Sequence, residues 1–305
     1  MLAGCGASQA LAPQNAPLAD RRAASGDLVY AASPFYITVA TYPDLKPAAR
    51  FRFYYDYPVL CSDAAGNIFA VTFGQVPAYV YEYRHGATTP FAKLSVPQPF
   101  DGDGCSVDPT TKDLAVALAW SGYSTGGAGA AIFKRERGTP KKYADSQISE
   151  ARYVTYDDSG DLFVLGLPPQ KSGYGGAPIL AELAKGKQRF TTITGLPPYD
   201  LTYITGMQWD GQYVDIQYSW SIAQFAVSGS SGQVVNWIQF NPPMGQRDTA
   251  PGTMWLDRQR SQIVTSAHRR HSLAIFPYPG GGNATKVTPA LHDGRLYSVT
   301  VSAAR

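Results

Sequence analysis

One unit recurs along this chain and limits its fold more than any other feature: an apolar strand, an aspartate, a short turn and a second apolar strand. The copies run from Cys61 to Val71 around Asp63, Cys105 to Val116 around Asp108, Thr155 to Val164 around Asp157, Met207 to Val214 around Asp210, and Met254 to Val264 around Asp257. Successive aspartates are 45, 49, 53 and 47 residues apart. Four-stranded β-propeller blades repeat at about this period, roughly 40–50 residues. In such a unit the Asp carboxylate accepts backbone N–H groups two or more residues on and closes the tight turn between the first two strands. These aspartates are therefore read as structural.

Each copy is followed by a third strand that ends in an aromatic residue or Leu (Tyr83, Phe133, Leu183, Phe225, Phe276) and then by a Gly turn (Gly86, Gly138, Gly186, Gly229, Gly280). Fourth strands follow, as in Phe91 to Leu94 and Phe190 to Ile193. The N-terminal stretches Leu28 to Tyr30, Ile37 to Tyr42 and Arg50 to Phe53 read as the second, third and fourth strands of a blade that lacks its first. Leu296 to Val301 supplies the missing one. The expected fold is thus all-β, a six-bladed propeller over residues 28–305 whose ring closes when the C-terminal strand pairs with the N-terminal blade, so that no edge is left open. A chain of 305 residues with 44% hydrophobic and only 16% charged residues suits one such domain. The net charge of +3 is too small to argue for nucleic acid, where a clustered basic face is expected, and a monomer is the default.

Residues 1–27 are of another kind. Leu2-Ala3-Gly4-Cys5 matches a bacterial lipobox, in which Cys5 carries the lipid, although only four residues precede that Cys. Gly6 to Asp27 is rich in Ala, Pro, Ser and Gln without an aromatic or β-branched residue, the composition of a disordered tether spanning ~25 Å. The expectation is an extracytoplasmic cell-envelope lipoprotein, periplasmic or on the outer surface, held to the membrane by its N-terminal lipid. Together the lipobox-like start, Asp-Ala-Ala-Gly-Asn at 63–67, Cys-Ser-Val-Asp-Pro-Thr-Thr at 105–111 and Met-Gln-Trp-Asp-Gly at 207–211 resemble the NHL-like six-bladed propellers, and more closely a group of bacterial lipoproteins of unassigned function. That resemblance spans Leu28 to Arg305 and implies a propeller outside the cytoplasm. It implies no activity.

Several residues are candidates for function. Cys61 and Cys105 occupy similar places on the innermost strands of neighbouring blades. In an oxidising compartment they can pair if their Cα atoms come within about 7 Å, but one stands two residues before its Asp and the other three. Buried free thiols are the other reading. The segments leading into the innermost strands carry acids, among them Asp56, Asp103, Glu150 and Asp248. In a propeller these gather at one mouth of the central channel. There they either hold a divalent cation such as Ca2+, as in lactonase-like propellers, or serve only as solvated turn residues. Asp101-Gly-Asp103-Gly104 is not an EF-hand loop, because Lys112 stands where that loop needs its Glu. Turns between second and third strands emerge on the same face and carry Trp120, Tyr123, Tyr174, Tyr218, Trp220 and His271, candidates to stack on a glycan, peptide or protein. His268 and His271 have no metal-ligand spacing in a hairpin turn. The basic run Lys134-Arg135-Glu136-Arg137 with Lys141 and Lys142 reads as a solvated outer edge. No catalytic constellation is present in the sequence, so a tethered binding or scaffolding propeller is the first reading, and a divalent-metal-dependent hydrolase or lyase at the channel mouth is the alternative.

Overall fold

A computed structural model describes residues 26–96, 98–120, 127–169, 177–198, 204–242, 252–267, 271–291 and 295–305. Among them the only helical element is the 3-10 turn Lys134–Glu136, and no helix is long and apolar enough to cross a membrane. Everything else is strand and turn, in a propeller-like arrangement of antiparallel meanders.

The first meander has strands β1 (Leu28–Ser33), β2 (Tyr36–Thr41) and β3 (Pro47–Arg52), and the last strand of the chain, β25 (Ser298–Ser302), pairs with β1 on the inside. The second runs β4 (Val59–Ser62), β5 (Ile68–Val71), β6 (Tyr79–Tyr83), β7 (Ala92–Ser95). An eight-stranded sheet follows, made of two successive meanders: β8 (Phe100–Val107), β9 (Leu114–Trp120), β10 (Ala128–Phe133), β11 (Lys141–Asp145), then β12 (Glu150–Tyr156), β13 (Leu162–Leu167), β14 (Ile179–Leu183), β15 (Thr191–Ile193). One residue pair, Glu150 with Ala119, joins the two halves. Next come β16 (Ile204–Trp209), β17 (Val214–Tyr218), β18 (Ser221–Ser228) and β19 (Ser231–Asn241), and lastly β20 (Met254–Asp257), β21 (Gln262–Ala267), β22 (Ser272–Pro277) and β24 (Lys286–Val287), with the short β23 (Gly282–Asn283) reaching across to β19.

Burial follows from this stacking. The second strand of a meander has a neighbouring sheet on both faces, so β1, β5, β13 and β17 are buried at every position, and a period-two pattern is absent from them. Outer strands face solvent and alternate, as β7 and β11 do. The apolar residues collect into clusters between adjacent sheets. The residues expected to end third strands, Tyr83, Phe133, Leu183, Phe225 and Phe276, are all buried, although β18 continues three residues past Phe225. Each such side chain stabilises by about 1.5–3 kcal/mol relative to exposure.

The recurring aspartates do what the sequence implies. Oδ1 of Asp63 accepts the N–H groups of Ala65 and Asn67, that of Asp157 those of Ser159 and Asp161, and that of Asp210 those of Gln212 and Tyr213. Asp108 goes further, taking the N–H and the hydroxyl of both Thr110 and Thr111. Asp257 accepts from Arg260 N–H.

The innermost strands β25, β4, β8, β12, β16 and β20 touch in turn around a central channel and line a cavity of about 130 Å3. They are joined by one repeated device, a side-chain oxygen of one strand accepting a backbone N–H of the next. Ser298 Oγ accepts from Leu60 (2.9 Å), Ser106 Oγ from Tyr156 (3.2 Å), Thr155 Oγ1 from Trp209 (3.1 Å), Gln208 Oε1 from Leu256 (2.6 Å) and Thr253 Oγ1 from Val299 (3.1 Å). At the remaining junction, β4 to β8, the link is covalent: Cys61 and Cys105 form a disulfide with Cα atoms 5.7 Å apart.

Candidate functional site

Register places the functional candidates. Val59, Val71, Val80 and Leu94 lie side by side across the second meander. The starts of inner strands, the turns from second to third strand and the connections from outer to inner strand therefore share one face, the channel mouth. The Asp turns lie on the other.

At the mouth, Asp101 and Asp103 lie within β8 itself rather than in the loop before it, Asp101 just before a register shift between Gly102 and Cys105 and Asp103 inside it. Glycine at 104 is required there, since a Cβ would stand 2.6 Å from the Arg152 carbonyl oxygen on β12. Two of the four acids expected to hold a cation come together. Arg152 binds Glu150 through Nε (2.7 Å) and Nη2 (2.6 Å) and reaches Asp103 at 3.8 Å. Burial pushes the Asp103 carboxyl up to about 7; Arg152 opposes that rise, and Glu150 and Asp101 add to it. Asp101 is raised too, chiefly by burial, and its Oδ1 has no hydrogen-bond partner among the described residues. Burial works against the Arg152 cation, but Asp103 and Glu150 outweigh it and hold the guanidinium charged. Tyr153 completes the cluster by donating its hydroxyl to the Ile204 carbonyl, 2.8 Å away. The guanidinium thus bridges the two carboxylates. Asp56 lies apart in the connection from β3 to β4, and Asp248 falls outside the described residues. Among the described residues no grouping of three or more His, Cys, Asp or Glu side chains fits a metal ion.

The expected aromatic loops are placed less uniformly. Tyr218 is buried at the end of β17, its ring 5.5 Å from that of Trp237. Trp220 is half-buried with its ring 6.1 Å from Phe276. His271 sits in the turn before β22 with φ of 53°, and its carbonyl accepts from Leu291 N–H. Trp120 closes β9, where its backbone pairs with Phe100. Tyr123, Tyr174 and the lipobox Cys5 lie outside the described residues.

A different set of aromatics is exposed at the mouth. Tyr54 is 77% exposed, Phe35 44%, Tyr57 38% and Phe73 37%. All lie on connections of the first two meanders. Phe35 is tied to this set through its carbonyl, which accepts from Phe53 N–H. Phe53 packs edge-on to Tyr55 and Tyr81, and Tyr81 donates its hydroxyl to that of Tyr55. Tyr57 stands edge-on to Tyr297, 4.5 Å between centroids, just before the inner strand β25. Cations rest on the same ring surface: Lys93 Nζ is 3.5 Å from the Tyr79 centroid, and the Arg52 guanidinium 5.4 Å from that of Tyr54. The candidates read from the sequence were instead Trp120, Tyr123, Tyr174, Tyr218, Trp220 and His271, on turns of later meanders. The signal was Tyr54-Tyr55-Asp56-Tyr57, three aromatics in a connection with no strand of its own to bury them.

No protein-family model matches this chain, and no curated protein matches it. Solved structures do. A chain in a crystal structure of a nidogen/laminin complex superposes with a TM-score of 0.66 over 92% of this chain and 100% of that one, at 10% identity. A protein of unknown function from Bacteroides caccae gives 0.63 over 91% and 99%, also at 10% identity. One from Desulfotomaculum acetoxidans DSM 771, functionally unknown, gives 0.59 over 91% and 99% at 9% identity. The likeness is one of fold: all-β and propeller-like.

Proposed function

We propose that the chain is a six-bladed β-propeller acting outside the cytoplasm as a binding or scaffolding protein, tethered through a lipid on Cys5, with its partner seated on the channel-mouth face. The observation that carries this reading is the exposure of Phe35, Tyr54, Tyr57 and Phe73 on connections of one face. Large apolar rings held in the open by a rigid scaffold are the side chains that anchor sugar rings, peptides and protein loops. The cross-link between Cys61 and Cys105 supports an oxidising address.

The alternative, a divalent-metal hydrolase or lyase, is disfavoured by Arg152, whose charge already serves Asp103 and Glu150. Screening residues 26–305 against glycan and peptide arrays, beside a variant carrying Phe35→Ala, Tyr54→Ala and Tyr57→Ala, tests the reading. Ligands retained by the wild type and lost by the variant support it. Ligands bound equally by both place the binding surface elsewhere.

A further inference from the structure

On the face opposite the mouth lies a second cleft, of about 110 Å3, between the third and fourth meanders. Four lysines line it: Lys134 and Lys141 from the end of β10 and from β11, and Lys185 and Lys187 from the turn between β14 and β15. Tyr143 and Leu183 contribute to its floor. We propose that this cleft binds a phosphate ester of a small ring compound such as a sugar phosphate, with the phosphoryl group among the ammonium groups and the ring on Tyr143.

Charge is the first argument. None of the four lysines makes an ion pair among the described residues. Asp108 and Asp113 also line the cleft, so its four lysines exceed its carboxylates by two positive charges, and both acids already accept hydrogen bonds from neighbours. Asp108 accepts two N–H groups and two hydroxyls from Thr110 and Thr111. Asp113 accepts the Arg135 N–H, and the nearby Asp161 accepts that of Lys185. That surplus of two positive charges is balanced by a doubly charged anion and not by a neutral molecule.

Placement is the second argument. Lys185 Nζ donates to the Ser159 carbonyl of its own meander at 3.2 Å and crosses to Thr110 Oγ1, in the turn of β8 and β9, at 2.7 Å. Lys141 Nζ bonds Gln188 Oε1 across the same interface and lies 4.7 Å from the centroid of the Tyr143 ring. These two cations are thus drawn over the cleft, one from each wall. Their source in sequence was half visible: the run from Lys134 to Lys142 supplies one wall, and Lys185-Gly186-Lys187 supplies the other from a distant turn.

The test is isothermal titration of the protein, residues 26–305, at low ionic strength with glucose 6-phosphate, with glucose as the neutral control. A Lys134→Gln, Lys187→Gln double variant is titrated in parallel. Both positions are exposed, so the variant is expected to melt no lower than the wild type, and its melting curve is recorded without ligand. The expected result is saturable binding of glucose 6-phosphate and not of glucose, weakened roughly tenfold or more in the variant. Absence of binding to the wild type, or equal affinity in a folded variant, overturns the proposal. Sedimentation with phosphatidylglycerol vesicles distinguishes the source of the phosphate: vesicle binding without binding of the soluble ester overturns it in favour of a lipid surface.

Discussion

Asp215 makes the stability of this protein depend on pH in a direction that can be worked out in advance. It lies in β17, a strand buried on both faces, and is 0% exposed. Neither carboxylate oxygen has a hydrogen-bond partner among the described residues. Burial raises its pKa to about 8, and Asp210, which takes the hydrogen bonds of Tyr278 and Gln224, adds to the rise. The folded protein therefore keeps a proton on Asp215 that the unfolded chain releases near pH 4. Below pH 4 both states hold it and Asp215 costs nothing. Between pH 4 and about 8 the unfolded state alone is ionised, and every pH unit in that window removes about 1.4 kcal/mol of stability. The full window sets a ceiling of roughly 5–6 kcal/mol, of which about 2–4 is expected after structural relaxation and water entry around the charge. The neutral, nearly isosteric Asp215→Asn variant abolishes this term. Its unfolding free energy in urea should lie within about 1 kcal/mol of the wild type at pH 4 and exceed it by about 2–4 kcal/mol at pH 8.5. Glu82, Asp103 and Glu136, each raised to about 7 mainly by burial, tilt both proteins in the same sense and cancel in the difference. Parallel wild-type and variant curves from pH 4 to 8.5 would refute the reasoning.

Other expectations follow from the same structure. Reducing the Cys61–Cys105 disulfide, which closes a separation of 44 residues, should cost about 2–4 kcal/mol, read as a lower melting temperature in dithiothreitol that a Cys61→Ser, Cys105→Ser variant reproduces without reductant. Arg152→Ala leaves Glu150 and Asp103 facing each other without their cation; a loss of about 1–3 kcal/mol at pH 8 is expected. That loss shrinks at pH 5, where Asp103 is protonated, and an equal loss at both pH values would argue against the ion cluster. Asp108→Ala removes the acceptor of four hydrogen bonds and should cost about 2 kcal/mol by urea denaturation at neutral pH. Because those bonds hold the Asp108 pKa below its ordinary value despite burial, the cost falls away as the solution is acidified through the native pKa.

The repeat was legible because each copy carries a local instruction: an Asp that closes a turn, an aromatic or Leu that ends the third strand and a Gly that reverses the chain. These act within a few residues, so spacing alone revealed them. The pairing of β25 with β1 was legible from the missing first strand of the N-terminal meander. What joins the inner strands was not. Ser106, Thr155, Gln208 and Ser298 look like ordinary polar strand residues, and only the approach of neighbouring strands shows that each accepts an N–H from across the junction. The mouth was legible in part, since Asp103 and Glu150 do converge. Arg152 was missed because its role depends on β12 lying beside β8, a contact between segments about 50 residues apart. The exposed rings were missed for a similar reason: Tyr55 and Tyr81 are taken up between meanders while Tyr54 is left out, and nothing in the run Tyr54 to Tyr57 says which.

The most direct test of the central claim is photo-crosslinking in cells that make the full chain, with p-benzoylphenylalanine placed at Tyr54 on the mouth face or at Ser230, an exposed turn on the opposite face. The account predicts a discrete adduct from position 54 that disappears when Phe35, Tyr57 and Phe73 are replaced by Ala, and none from position 230. An adduct from 230 alone, or one from 54 that persists in the triple variant, would contradict the claim that the mouth aromatics hold the partner.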